Sequence, residues 1–169
     1  EIGVIGAGSA GEIHFIHGRL HVGEAMSPPL IRAVKKIVPD QGVLIYDSPP
    51  GTSCPVITAI SGADVVALVT EPTPFGLHDL KLAVDMVRAL ELPFGIVINR
   101  DGIGDDRVER YCEEEKIPIL ARIPDSRAVA EAYSRGQMAV QAVPEMKTLF
   151  EQLLERLTDI AEKEQVKAS

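Results

Sequence analysis

The chain has 169 residues, 46 % of them hydrophobic, with 25 acidic against 17 basic side chains and a net charge of −8. That length suits one domain with a real core, and no apolar run approaches the roughly 18 residues needed to span a bilayer. The negative charge works against bulk attraction to nucleic acid or to an anionic membrane, and with no tryptophan and 4 % aromatics few rings are left to stack on bases. The sequence begins at Glu1 without a signal-peptide pattern and reads as a soluble piece whose true amino terminus is missing. Cys54 and Cys112 have no CxxC spacing and make no disulfide framework, which suits a reducing cytoplasm.

Residues 1–24 read as short extended pieces: Ile2–Ile5, then glycine-rich turn chemistry, then Ile13–Ile16 and Leu20–Val22 on either side of Gly18. Gly6-Ala7-Gly8-Ser9-Ala10-Gly11 is a formal G-x-G-x-x-G, which would place a dinucleotide. That motif needs a helix opening at its glycines and an acid ending the next strand. Here Gly18 and Gly23 interrupt any helix, so a glycine-rich hairpin is expected, with a dinucleotide-binding oxidoreductase as the lesser alternative. His14, His17 and His21 invite a metal, but a strand pleat puts His14 opposite to His17 and no cysteine or paired carboxylate lies near. Surface-facing polar positions are the expectation for all three.

Residues 25–163 alternate helix and strand, and 164–169 read as a tail. Ser27 with Pro28 starts a helix through about Ile37, with Leu30, Ile31, Val34 and Ile37 on one side. A strand is expected at Val43–Tyr46, a short helix at Pro55–Ile60 and a strand at Val65–Thr70. A long helix should run from about Gly76 to Leu90 on Leu77, Leu80, Val84, Val87 and Leu90. Strand Phe94–Ile98 ends at Asn99-Arg100; Asp105 can cap a helix to about Glu115; Pro118–Leu120 leads to Ile123-Pro124-Asp125; and a helix follows from Ser126 to about Tyr133. After Pro144 a last helix should bury Met146, Phe150, Leu153, Leu157 and Ile160. Near-continuous apolar strands alternating with helices define an α/β fold, a mostly parallel sheet with helices on both faces.

In such a sheet the functional loops lie outside the carboxyl ends of the strands. Taken in order they are Asp47-Ser48-Pro49-Pro50-Gly51, Glu71-Pro72-Thr73, Asn99-Arg100 and Ile123-Pro124-Asp125. An aspartate at a strand end can hold Mg²⁺ through water while the loop beyond it senses a terminal phosphate. Pro49 and Pro50 stiffen that loop, and Gly51 can approach a ligand oxygen and offer its N–H. Asn99 can both donate to a purine nitrogen and accept from an exocyclic amine. Arg100 could lie over a base or reach a phosphate, Pro124 can pack on a ring edge, and Asp125 can accept a hydrogen bond or cap a helix.

The order of these motifs resembles the carboxyl-terminal part of a MinD/ParA-type, deviant Walker A, P-loop ATPase. More narrowly it is similar to MinD-like proteins that carry an inserted ferredoxin module. The resemblance covers roughly residues 20–157; its most specific parts are Asp47–Gly51 with Thr52-Ser53-Cys54-Pro55, Val97–Arg100, and Ile123–Val140. It implies that Asp47 helps hold Mg²⁺ within the nucleotide switch, that Gly51 approaches the γ-phosphate, that Asn99 recognises adenine, and that Pro124 and Asp125 border the base. It also implies a cytoplasmic, dimeric ATPase tied to iron–sulfur or redox work, with a redox or metallocluster protein as partner. The family's lysine-bearing phosphate loop and the cysteine-rich insert are nowhere in this sequence. The chain therefore reads as a fragment starting just after the insert, unable by itself to hydrolyse ATP, with any iron–sulfur clusters confined to the missing part. The sheet would lack its phosphate-loop strand, and a strand borrowed from residues 1–22 or a partner chain is expected to compensate. Cys54 is open between a buried structural thiol and a cluster-proximal one. The acidic tail does not fit the family's basic membrane helix. A non-catalytic scaffold that docks a redox partner is the competing function.

Overall fold

Glycines at alternate positions shape the first element of the chain. In the computed structural model, which describes residues 2–39 and 42–168, β1 (Gly3–Ala10) and β2 (Ile13–Leu20) pair antiparallel from Gly3 opposite Leu20 to Ala10 opposite Ile13. Gly11, at φ 61°, supplies the left-handed backbone that a two-residue hairpin turn asks of its first position. Gly6–Gly8 therefore lies inside a strand, not in the turn expected there. A Cβ on Gly6 would meet the His17 ring at 2.5 Å, and that ring stacks on Phe15 at 5.4 Å. No helix opens at these glycines, so the dinucleotide fingerprint has no structural counterpart. His14 and His17 fall on opposite faces of the ladder, as the pleat requires.

The chain divides into two compact units, Glu1–Gly62 and Ala63–Ser169. In the first, α1 (Pro28–Ile37) packs Leu30 and Val34 against the hairpin at Gly18, where a larger residue would clash. Lys35 in its last turn donates to Ala59 O at 2.9 Å and Ser61 O at 2.6 Å, and its ammonium lies 4.6 Å from the centre of the Tyr46 ring. One cation thus closes the carboxyl end of α2 (Cys54–Ile60), whose Val56, Ala59 and Ile60 are buried. Burial draws the Lys35 pKa downward.

The strand expected at Val43–Tyr46 does not form. These residues join no ladder, and Val43, Leu44 and Ile45 are 70, 40 and 86 % exposed. Extended apolar sequence becomes a strand only when its backbone pairs with another, and among the described residues β1 and β2 pair only with each other. Among the described residues the hairpin lends no strand to the larger sheet, against the expectation for residues 1–22.

The second unit is built on β3 (Val66–Thr70), β4 (Phe94–Asp101) and β5 (Ile119–Pro124), parallel and in that spatial order. On one face α3 (Pro74–Ala89) and α4 (Arg107–Glu114) bury Leu80, Val84, Val108 and Cys112 against Ile96 and Ile98. On the other, α7 (Pro144–Ala168) packs Leu149, Leu153, Leu157 and Ile160 over Val97, Leu120 and Ala121. Arg156 ties α7 to the sheet through a bond to Leu120 O at 2.5 Å. Leu149 takes the inward place expected of Phe150, which is left partly exposed beside Leu154. Between them run α5 (Arg127–Ser134) and a one-turn α6 (Ala139–Ala142) that the apolar pattern does not announce. Within this sheet β3 has no strand beyond it, and Val69 is 63 % exposed. Among the described residues no helix is long and apolar enough to cross a membrane.

Burial this uneven makes a sharp prediction. Ile96→Ala should cost about 2–5 kcal/mol in urea unfolding, whereas Ile45→Ala should stay within about 0.5 kcal/mol of the parent. Equal losses at the two positions would mean that 43–46 is packed in solution.

Candidate nucleotide rim

Parallel strands end on one side of a sheet, so the loops after β3, β4 and β5 are neighbours by topology. The loop after β3 is wound tightly. Thr70, buried, donates to Gly76 O at 3.0 Å, and Thr73 caps α3 by accepting from Gly76 N–H at 3.0 Å. Gly76 has no room for a side chain because the Glu71 carbonyl occupies that space. The loop after β4 locks onto it: Asp105 N–H donates to Pro72 O at 3.3 Å, and a Cβ on Gly104 would collide with that carbonyl. Asp125 N–H donates to Asp101 O at 3.0 Å, which joins the third loop to the second.

At the end of β4 the pairing slips. Ile98 is opposite Arg122 and Asp101 opposite Pro124, so β4 spends one more residue than β5 across Asn99 and Arg100. Such a bulge re-aims side chains, and Arg100 absorbs it at φ 54°, in the left-handed region. Its Nε donates to Asp125 Oδ1 at 3.0 Å and its Nη1 lies 3.6 Å from Glu71 Oε1. The bond to Asp125, then the charge of Glu71, raise the Arg100 pKa above its ordinary value. The guanidinium is thus engaged by carboxylates, where the sequence suggested a base or a phosphate. Asn99 is half-buried, and its carboxamide makes no hydrogen bond among the described residues. Pro124 and Asp125, at the end of the neighbouring strand β5, are exposed.

Asp47 and Gly51 belong to the first unit. Asp47 is exposed, with no hydrogen bond or ion pair among the described residues. Gly51 holds φ 94°, which disfavours any side chain, with open space where a Cβ would lie. Of the sequence-derived rim, the structure brings together Asn99, Arg100, Pro124 and Asp125.

Sequence reasoning missed the acids that complete this edge. Glu71 was part of a loop without a role, though an acid ending one strand beside an arginine ending the next was the available signal. Arg122 on β5 binds Glu109 Oε1 at 2.5 Å and lies 3.9 Å from Asp101 Oδ1, while Glu109 Oε2 is buried without a hydrogen bond among the described residues. Asp105, expected as a helix cap, accepts from Arg107 N–H at 3.1 Å and is bridged by the Arg107 side chain, which lowers its pKa. No group of three or more His, Cys, Asp or Glu that could hold a metal ion occurs among the described residues, so a cluster with a full protein ligand set does not fit there. Cys54 is exposed and Cys112 buried.

The three-stranded parallel sheet between helices makes an α/β domain that matches the P-loop NTPase fold of MinD. No family model matches the chain. It is similar to the cell division ATPase MinD of Pyrococcus furiosus, with a TM-score of 0.63 and 29 % identity, covering 79 % of this chain and 59 % of that structure. An uncharacterized protein of Methanocaldococcus jannaschii is 34 % identical over 126 residues, 73 % of this chain and 44 % of the relative. The iron–sulfur cluster carrier protein of Pyrococcus horikoshii is 26 % identical over 79 % of this chain and 54 % of its own. In sequence and fold the chain is similar to MinD/ParA-type P-loop ATPases. It spans about half the length of the curated relatives it matches.

The two thiols should behave differently. Burial first, and the nearby Glu109 carboxylate second, push the Cys112 pKa up to about 11. At pH 8 a thiol reagent should label Cys54 quickly and Cys112 only after denaturation, counted by intact mass. Because the folded pKa is the raised one, Cys112 should also cost stability as pH climbs from about 9 toward 11. Gly104→Ala, forced against the Pro72 carbonyl, should destabilise by about 1–3 kcal/mol in the same unfolding assay.

Proposed function

We propose that this chain is the nucleotide-switch portion of a MinD-like ATPase, working in the cytoplasm as a homodimer and linked to iron–sulfur or redox metallocentre work. The observation that carries the reading is the free, half-buried Asn99 carboxamide at a rim whose three loops are bonded to one another. A carboxamide offers one acceptor and two donors, the complement of an adenine edge. Pro124 and Asp125 would border the base. Asp47, exposed and unengaged, fits an acid that holds Mg²⁺ through water. Gly51, with a glycine-only backbone and no side chain, fits a close approach to the γ-phosphate.

The hold on phosphates must come from residues outside these 169, because the chain carries no lysine-bearing glycine loop. A strand bearing such a loop would also serve the unpaired side of β3. The link to iron–sulfur work draws on the name of the Pyrococcus horikoshii relative. Any clusters are assigned to the missing part or to a redox partner, since no ligand set for one occurs among the described residues. Neither nucleic acid nor a membrane is a proposed partner. A second reading, a scaffold that docks a redox partner without turnover, is favoured by the same lack of a phosphate loop.

Joining the chain to a family phosphate-loop segment separates the two. Magnesium-ATP at a hundredfold excess over Kd should then stabilise the protein by about 2.7 kcal/mol, and hydrolysis should disappear in Asp47→Ala. Asn99→Ala should raise the Kd for ATP about tenfold through lost hydrogen bonds. A melting temperature unmoved by nucleotide would leave the scaffold, and turnover unchanged in Asp47→Ala would remove Asp47 from the mechanism.

A further inference from the structure

Arg100 occupies the rim with its Nε and Nη1 already engaged by carboxylates. Its side chain leaves the β4 bulge and meets Asp125 after β5 at 3.0 Å and Glu71 after β3 at 3.6 Å. One guanidinium therefore touches the end of every strand in the sheet. Its backbone holds the left-handed conformation that this course requires. All three side chains are about half exposed, a setting in which ion pairs add little to global stability. A strained backbone and a three-way contact that contributes little to stability are features expected of a positioning device.

We infer that Arg100 is a positioning residue: by gripping Glu71 and Asp125 it fixes the three strand-end loops in register, and so holds the Asn99 carboxamide in place for a purine base. This rests on the nucleotide reading proposed above. It assigns Glu71 and Asp125 as anchors of the arginine, and it makes the arginine act on the base through Asn99.

The test uses the 169-residue chain with adenosine as probe, which needs no phosphate loop. In the free protein, Arg100→Ala should speed amide hydrogen exchange about fivefold in all three loops, 71–73, 99–105 and 124–126, as expected for loss of weak exposed ion pairs. The Asn99 side-chain amide signals in an NMR titration should move with adenosine in the parent, and Arg100→Ala should raise the dissociation constant about fivefold. The double variant Glu71→Gln/Asp125→Asn, which keeps the arginine but removes its anchors, should reproduce that loss. Arg100→Lys, which can reach one acid at a time, should restore part of it. Faster exchange confined to residues 99–101, or adenosine binding in the double variant equal to the parent, would overturn the role given to Arg100 while the nucleotide reading stands. A parent chain whose Asn99 signals ignore adenosine would remove the nucleotide reading and this role with it.

Discussion

Parallel hydrogen bonding between β3, β4 and β5 is the constraint from which the rest of the second unit follows. Parallel strands must all end on the same side, and their crossovers must return over a face. Those two requirements place α3 and α4 on one face and put Glu71, Asn99, Arg100 and Asp125 within a few residues of a shared edge. Burial of the apolar run Phe94–Ile98, and of Val66 and Thr70 beside it, is what brings polar residues from distant parts of the sequence together. The rim is a by-product of packing that the chain has furnished with chemistry.

The furnishing is economical. A single extra residue in β4 turns a strand end into a bulge, and the bulge aims Arg100 across its neighbours while Asn99 stays without a partner. Backbone contacts between Asp105 and Pro72, and between Asp125 and Asp101, hold the loops where exposed charges alone would not. Ionic contacts set direction and backbone contacts set stability, so the two kinds of bond have separable jobs.

Much of this was legible beforehand because it is periodic. The α3 stripe, the Ser126 cap and the strand end at Thr70 follow from spacing and proline placement, whereas β4 runs on past the expected end to Asp101 and Ile37 on α1 is exposed. What failed depends on partners that a linear pattern cannot supply. Val43–Tyr46 has the composition of a strand, but composition does not provide a neighbour to bond with. Gly6 looked like a turn residue because the reason for it, the His17 ring across the ladder, lies on another strand. Leu149 and Phe150 are adjacent on α7, and which one faces inward depends on where β5 passes. The anchoring of Arg100 was not legible because its carboxylate partners come from loops more than 20 residues away in either direction.

Four consecutive residues, Val43 to Tyr46, are apolar and, among the described residues, make no backbone hydrogen bond, which leaves them able to template the stacking of other chains. Cross-β assembly asks for about six or seven such residues in a row without proline. Asp47 interrupts the run with a charge, and Pro49 and Pro50 follow with two positions that cannot donate. The turn after Tyr46 thereby acts as a gatekeeper, keeping an uncovered segment too short to seed a fibril.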